Sequence, residues 1–582
     1  MKRRERVLLI QPPFAPFSQP SCALGRLKAS LRAQHIHCEC DYPNLDLFTS
    51  LDEDVRQWLS KNVRGMTYAE LIYSSAMFPD YVSKRRYVRA MRFHYDDGRR
   101  DHLNVYMKLF RQTHRFNRNL IDRWKRGFPY TIVGISANYN LMPALFCCSV
   151  LKKLYPSIQT VFGGSECTGE IGHALARKFS FIDWVVDGEG EKVLPEIVKI
   201  IERRSDEIPA GTCRRFRGSV VVNSTPRKPI DIESLPCPDY DDFFHSSSLK
   251  KLNVPIMLPI ESGRGCWWGR CSFCNSPCRG RNLYRRVSDK CVLKTMEHLA
   301  DRYKNLSFMF VDPVQPTNVE SLAMSLIGSP YDFSFFMPFR TNIPVQHLNL
   351  FKRAGLKHGF FGVESFSDNL LQKMNKGTTV IDNILTLRAA KQLGIRALFH
   401  IIHGHPGEQL EDRKTTSKTM RHICHLINGL VSEGPFALLY RSDVYYHPKK
   451  YHIKGMTIDP PFLPPAFRFT PTYYWDCSPK VRKSEIVPPS ILKGEDGGSL
   501  ELHVGGKTFC IVEDRRSTSK SWKDYVLTSP HSDILISCLT PRRRNELRCK
   551  ERVLQDLIRR GLLIESSGRY LTLATRNRSD TE

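Results

Sequence analysis

From residue 6 to about residue 205 the chain alternates short apolar runs with stretches of helical periodicity. The runs at 7–10, 131–136, 160–162 and 183–186 are dominated by Val, Ile, Phe and Trp or Leu, the composition of strands buried on both faces. Helical spacing of apolar positions predicts helices over 23–33, 142–154, 170–179 and 191–201, and such alternation predicts a parallel sheet with helices on both faces. Between about 50 and 130 the pattern changes to a basic, aromatic, mostly helical insertion.

The Pro-rich stretch Leu235-Pro236-Cys237-Pro238-Asp239-Tyr240 ends this first region. A second βα series begins at about residue 254, with strands predicted over 256–261, 306–311, 333–339, 358–363, 396–402 and 436–440. A helix over 382–393 carries Leu385, Leu387 and Ala390 on one side and stops at Gly394. Repeated βα units of this kind predict a partial barrel whose chemistry lies at the C-terminal ends of its strands. Beyond about 456 the pattern weakens through Pro460-Pro461-Phe462-Leu463-Pro464-Pro465, and a helix over 553–560 followed by strands at 561–564 and 569–573 closes the chain as a winged-helix-like unit.

The fold class expected is therefore α/β: an N-terminal doubly wound, Rossmann-like domain (1–205, insertion about 50–130), a linker (206–253), a central (β/α)6 partial TIM barrel (254–456) and a small C-terminal α+β domain (457–582). At 582 residues the chain is too long for one ordinary core. The formal net charge of +28 favours acidic partners such as a peptide, a polyanionic cofactor or nucleic acid. The basic residues form no stripe interleaved with aromatics, so nucleic acid is not expected. The 18 cysteines show no disulfide framework, and the run 7–10 is too short for a secretory core. No stretch reaches the length of a membrane span. A cytoplasmic location is expected.

Chemistry concentrates in one loop after the first strand of the second series. Gly265-Cys266-Trp267-Trp268-Gly269-Arg270-Cys271-Ser272-Phe273-Cys274-Asn275-Ser276-Pro277-Cys278 places four cysteines within 13 residues. Three thiolates can each hold one iron of a cubane cluster and leave the last iron open, whereas four would close it. The competing reading is a zinc knuckle using all four sulfurs, which with the terminal winged helix and the positive charge would make a zinc-containing nucleic-acid-binding protein. In the first region, small residues follow the strands at Ser136-Ala137-Asn138, Gly163-Gly164-Ser165 and Gly188-Glu189, where backbone can approach a ligand. The glycine turns by themselves leave that ligand open.

These motifs, in this order, resemble the cobalamin-dependent radical S-adenosylmethionine (SAM) enzymes, and within them the family that matures ribosomally made peptides by C-methylation. The likeness runs from Pro20-Ser21 and Ala23-Leu24-Gly25 through Gly163-Gly164, Thr168-Gly169-Glu170 and Gly188-Glu189-Gly190-Glu191 to Pro238-Asp239-Tyr240-Asp241. It continues through Arg264-Gly265-Cys266-Trp267-Trp268-Gly269, Gly362-Val363-Glu364-Ser365, Gly404-His405-Pro406-Gly407-Glu408, Asp514-Arg515-Arg516 and Gly561-Leu562-Leu563. The resemblance implies a [4Fe-4S] cluster on Cys266, Cys271 and Cys274, although four residues separate the first pair, a longer spacing than usual. Cys278 is the reserve ligand. It further implies SAM contacts from Asp312, Arg340, Asn342, Glu364, Ser365, Gly404 and His405, and cobalamin contacts from Ser136, Asn138, Gly163, Gly164, Ser165, Gly188 and Glu189. The chain has no Asp-x-His-x-x-Gly motif, so the implied cobalamin has no histidine on cobalt.

The activity implied is methyl transfer to an unactivated carbon of a precursor peptide with an acidic leader, fed by a flavodoxin- or ferredoxin-type electron donor. The alternative within enzymes is a cobalamin-dependent radical reaction on a small natural product, by methylation, cyclisation or rearrangement. Substrate identity, the position and stereochemistry of modification, the oligomeric state, the catalytic residues and the role of the insertion are not fixed by the sequence.

Overall fold

The computed structural model describes residues 5–61, 65–80, 100–138, 140–275, 284–453, 473–474, 498–505, 509–516 and 523–576. These fall into two compact units, one of the described residues up to 260 together with 294–307, the other of the remaining described residues.

The sheet of the first unit has seven strands in the order β2-β1-β3-β4-β5-β6-β7, comprising β1 (Arg6–Ile10), β2 (His37–Asp41), β3 (Ile132–Ser136), β4 (Gln159–Gly163), β5 (Trp184–Val186), β6 (Thr212–Phe216) and β7 (Ser219–Asn223). β1 pairs in parallel with both β2 and β3, and the parallel run continues through β4 to β5. This is the order of a doubly wound sheet, with its topological switch between β1 and β3. Val7, Leu9, Ile132 and Trp184 of these strands are buried in one core cluster with Ile197 and Val198.

Two parts of this sheet differ from the expectation. β2, His37-Cys38-Glu39-Cys40-Asp41, carries no apolar run because it is an edge strand, with one side unpaired and several side chains half-buried. The segment read as a linker supplies β6 and β7, an antiparallel hairpin that extends the sheet beyond β5. Nor does the Pro-rich connector hang free. The ammonium of Lys28, on the helix Cys22–Arg32 and only 1% exposed, lies 3.1 Å from Asp239 and 2.7 Å from Asp242. A buried lysine persists only when paired in this way.

The insertion is built into the unit. Helices Gly65–Met77 and Arg100–Lys125 share buried polar contacts, Tyr68 to Tyr106 at 2.6 Å between hydroxyls and Tyr73 Oη donating to Asn117 Oδ1 at 2.8 Å. Arg123 ties the second helix to Asp41 at the end of β2. Residues 81–99 of the insertion lie outside the described residues.

A six-stranded sheet follows in sequential order: Leu258–Ile260, Ser307–Phe310, Ser334–Phe339, Leu356–Glu364, Arg396–His403 and Val431–Pro435. The last four pair in parallel. The sixth strand is Val-Ser-Glu-Gly-Pro rather than the apolar 436–440, because it is an edge and can be polar. Phe436 and Leu438 instead fill a small cluster with Val444 and Ile453.

The C-terminal residues cluster with the barrel. One four-stranded sheet contains Lys523–Thr528, Phe509–Asp514, Leu500–Gly505 and Thr575–Arg576, and a three-stranded one contains the wing Leu563–Ser566 and Arg569–Thr572. Arg388 of helix Val380–Gln392 donates to the carbonyls of Leu539 and Thr572. Arg516, paired with Asp514 at 2.6 Å, donates to the carbonyls of His422 and Gly561, and the ring of His425 meets the Leu573 carbonyl at 3.1 Å.

Burial depresses the pKa of His422 to about 4 and of His425 to about 3. Below the ordinary histidine value the unfolded chain binds protons that the folded one refuses, so these groups subtract stability as pH falls from about 6.5 toward 4. The thermal midpoint of the second unit is expected to drop across that interval. A His425→Gln variant should show a shallower drop, measured by calorimetry at a series of pH values.

Candidate active site

The second unit builds its site on the loop after the first barrel strand. The loop starts at Ser262, whose backbone N–H reaches both oxygens of Asp312 at 3.1 Å and whose hydroxyl lies 3.1 Å from Oδ1. Asp312 follows the second strand and is buried; desolvation, with Glu261 nearby, raises its pKa to about 7. Through Ser262, Asp312 anchors the start of the cysteine loop.

The next fixed points are the two tryptophans. Trp267 Nε1 donates to the Gln315 carbonyl at 2.9 Å and Trp268 Nε1 to the Asn375 carbonyl at 3.1 Å. Between them sits Arg340, after the third strand, with its guanidinium carbon 5.5 Å from the Trp267 ring centre and 4.3 Å from that of Trp268. Such stacking suits the planar, weakly hydrated guanidinium. Arg340 also donates to the Lys376 carbonyl at 2.5 Å and to Cys271. The charges of Cys271 and Cys266 both act on Arg340, against the burial that lowers its pKa.

Ser272 then locks the middle of the loop. Its N–H donates to the Met374 carbonyl at 2.8 Å, its hydroxyl to the Lys373 carbonyl at 3.2 Å, and its own carbonyl accepts the Val444 N–H. The Ser272 hydroxyl also meets His405 Nε2 at 3.1 Å. His405 is fully buried and its pKa is lowered to about 4 by desolvation, so a neutral ring supports the loop at Ser272. Cys274 N–H closes a turn on the Cys271 carbonyl at 3.3 Å. Cys266, Cys271 and Cys274 are all half-buried, and burial pushes the Cys271 thiol up against the opposing pull of Lys376 and Arg340. Cys278 lies outside the described residues.

Glu364 ends the fourth strand in a left-handed conformation, φ 59°, at an irregularity in the strand pairing. Its Oε1 accepts the ammonium of Lys376 at 2.9 Å. Burial works against the charge on Lys376, but Glu364 and Cys271 outweigh it and the pKa is raised. Gly404, with φ 77°, donates its N–H to Glu408. Two expected residues are elsewhere. The Ser365 hydroxyl is fully buried against Thr416 and the Ser367 N–H, an internal network, and Asn342 is exposed on the turn after the third strand.

The segment Lys373-Met374-Asn375-Lys376-Gly377, which the sequence reading passed over, therefore seats the cysteine loop. Only the pairing of a strained turn with an aromatic neighbour signals it: at Gly377, φ 66°, a Cβ would stand 2.2 Å from the Trp268 ring.

In the first unit the ends of β3 and β4 are tied together. Asn138 Oδ1 accepts the N–H and hydroxyl of Ser165 at 2.8 and 3.0 Å, and Asn138 Nδ2 donates to Ser136 at 3.1 Å. Gly164, φ 101°, has the Ala137 carbonyl 2.4 Å from where a Cβ would be, so the fold itself demands glycine there, whatever lies in front. Gly163 and Gly164 remain half-buried and Ser165 exposed. Gly188 is also left-handed, yet nothing lies within 4 Å of its Cβ position. Glu189 Oε2 accepts the Ile230 N–H at 2.9 Å and so ties this turn to the following segment. A further residue unread in the sequence is Glu70 of the insertion. Its carboxylate accepts the Met142 N–H at 3.1 and 3.3 Å and caps the helix Leu141–Leu154, while Asn140 is turned back onto the Asn138 N–H. Burial raises the Glu70 pKa to about 8.

Among the described residues no three His, Cys, Asp or Glu side chains stand together as a metal-ion site, and no helix is long and apolar enough to cross a membrane. The donor chemistry of Cys266, Cys271 and Cys274 nonetheless fits an iron–sulfur cluster, with two thiols already sharing Arg340. The open edge at Gly163, Ser165 and Gly188 fits the approach of a large planar ligand.

Residues 260–420 match the radical SAM superfamily. An uncharacterized methyltransferase, PH0819, of Pyrococcus horikoshii is 26% identical over 303 residues, 51% of this chain and 65% of that protein. The hopanoid C-3 methylase of Methylococcus capsulatus is 25% identical over 299 residues, 48% of this chain and 54% of that protein. The chain thus spans less than two thirds of these curated relatives' length. Among solved structures, the radical SAM methyltransferase TsrM from Kitasatospora setae, with cobalamin and a [4Fe-4S] cluster bound, aligns with a TM-score of 0.52 at 15% identity, covering 77% of this chain and 78% of that one. That likeness is one of fold: α/β, with a parallel sheet.

Substituting Gly377→Ala should unseat the loop, since strain at the turn and overlap with Trp268 add to at least about 2 kcal/mol. Gly188→Ala meets only the left-handed strain, about 1 kcal/mol. Chemical unfolding followed by tryptophan fluorescence should show the larger loss of stability at Gly377.

Proposed function

We propose that the protein is a cobalamin-dependent radical SAM methyltransferase that replaces a hydrogen with a methyl group on an unactivated carbon of a ribosomally synthesised peptide. The observation that carries this reading is the joining, in one chain, of a radical SAM segment whose three-cysteine loop is pinned at the barrel's strand ends to a doubly wound sheet with open glycine edges at its own. When bound, the cluster supplies the reducing electron, SAM the methyl and adenosyl groups, and cobalamin a methyl carrier.

The chain's own residues do the placing. Cys266, Cys271 and Cys274 would hold the cluster, and Arg340 and Lys376 balance the thiolates' charge. Gly404, at the end of the fifth strand, and Glu364, beside the loop, border the space where SAM would meet it. Ser136, Asn138 and Ser165 brace the edge that would receive the corrin ring, with Gly163, Gly164 and Gly188 giving it a flat approach. The net charge of +28 supports an acidic leader as the recognised part of the peptide, and the electron would come from a flavodoxin- or ferredoxin-type donor in the cytoplasm. The name of the Methylococcus relative supports carbon as the atom methylated.

With SAM carrying a deuterated methyl group, a peptide product is expected to gain the label on carbon while 5′-deoxyadenosine accumulates in step, both read by mass spectrometry. A product of unchanged mass would replace methylation by rearrangement or cyclisation, and turnover only of a small non-peptide would remove the peptide.

A further inference from the structure

The ammonium of Lys376 stands inside the cysteine-loop seat. It is 6% exposed, pairs with Glu364 Oε1 at 2.9 Å, and lies 5.7 Å from the ring centre of Phe273, which with Ser272 separates Cys271 from Cys274. Its backbone carbonyl holds Arg340, which in turn bonds Cys271. The groups whose charges act on Cys271 are Lys376, Arg340, Glu364 and Cys266. Gly362, in the strand beneath, leaves the room the ammonium needs, for a Cβ there would stand 2.6 Å from Nζ.

Stability is a poor reason for such a pair. A buried ion pair is often no better than apolar side chains of similar volume, and losing one partner strands the other charge. The ring of Phe273 beside the ammonium would accept a methionine in place of the lysine. What an apolar residue would not supply is a fixed positive charge in a poorly screened place beside the thiols, where its field is strong. A cluster on those thiols gains a negative charge when it takes up an electron, and net charge is one of the levers that set a cluster's potential.

We propose that Lys376 sets the reducibility of the cluster held by Cys266, Cys271 and Cys274, its buried ammonium favouring the reduced form and Glu364 moderating that effect as counter-charge. This rests on the cluster reading above. Lys376 acts through the cysteine loop and is a tuning residue, touching neither substrate nor SAM in this role.

The test is a redox titration with dithionite, without SAM, of the anaerobically reconstituted full-length protein, followed by electron paramagnetic resonance and paired with iron analysis. Lys376→Met should keep its iron and shift the reduction equilibrium about tenfold toward the oxidised form, about 59 mV more negative for one electron. Lys376→Arg should stay near wild type. Lys376→Met combined with Glu364→Gln, which removes both charges, should recover most of the shift, an outcome that lost packing would not produce. An unchanged potential in Lys376→Met with full iron would overturn the proposal. So would loss of iron in all three variants alike, which would make Lys376 a prop for the loop. A wild type that assembles no cluster would instead sink the functional reading, and this inference with it.

Discussion

The second unit depends on one contact: the backbone of residues 373–377 against the cysteine loop. Carbonyls of Lys373, Met374 and Asn375 receive Ser272 and Trp268, and the Lys376 carbonyl receives Arg340. A loop carrying three reactive thiols cannot be fixed through the thiols if these must stay available. It is fixed through the residues between them, the tryptophans, the serine and the backbone. Each of those contacts is made by a group other than a cysteine sulfur, so the thiols are not used up in making them.

The same division of labour appears in the first unit. Ser136, Asn138 and Ser165 spend their hydrogen bonds on one another, and Asn140 is freed for this because Glu70 caps the helix that Asn140 would otherwise begin. The insertion thereby has a structural part in shaping the strand ends. Residues at the rim are braced by their neighbours, and the ligand-facing surface is left to backbone and small side chains.

Strands with continuous apolar runs, such as Val7–Ile10, were legible because burial on both faces writes itself into composition. The edge strands His37–Asp41 and Val431–Pro435 were not, nor was Thr212–Phe216 between β5 and β7: all three are polar or mixed, and nothing local separates them from loops. At the site, clustered cysteines and glycines at strand ends could be read, since their chemistry is in the residue type and spacing. Lys376, Gln315 and Glu70 could not, because roles of this kind come from partners 36 to 107 residues away, as with Trp268 and Asn375, Lys376 and Arg340, or Glu70 and Met142. Ser365, His405, Asp312 and Glu189, expected as ligand contacts, each also make hydrogen bonds within the fold that the sequence did not indicate.

The central claim is that one chain holds both a three-thiolate cluster and a corrinoid, in separate places. Iron, sulfide and cobalt analysis after anaerobic reconstitution with hydroxocobalamin, on wild type and on the variant with Cys266, Cys271 and Cys274 all changed to Ala, addresses it directly. The account predicts one four-iron cluster and one cobalt in the wild type, and in the variant a loss of iron and sulfide with cobalt retained. Full iron in the variant, or a wild type that takes up no cobalt, would contradict it.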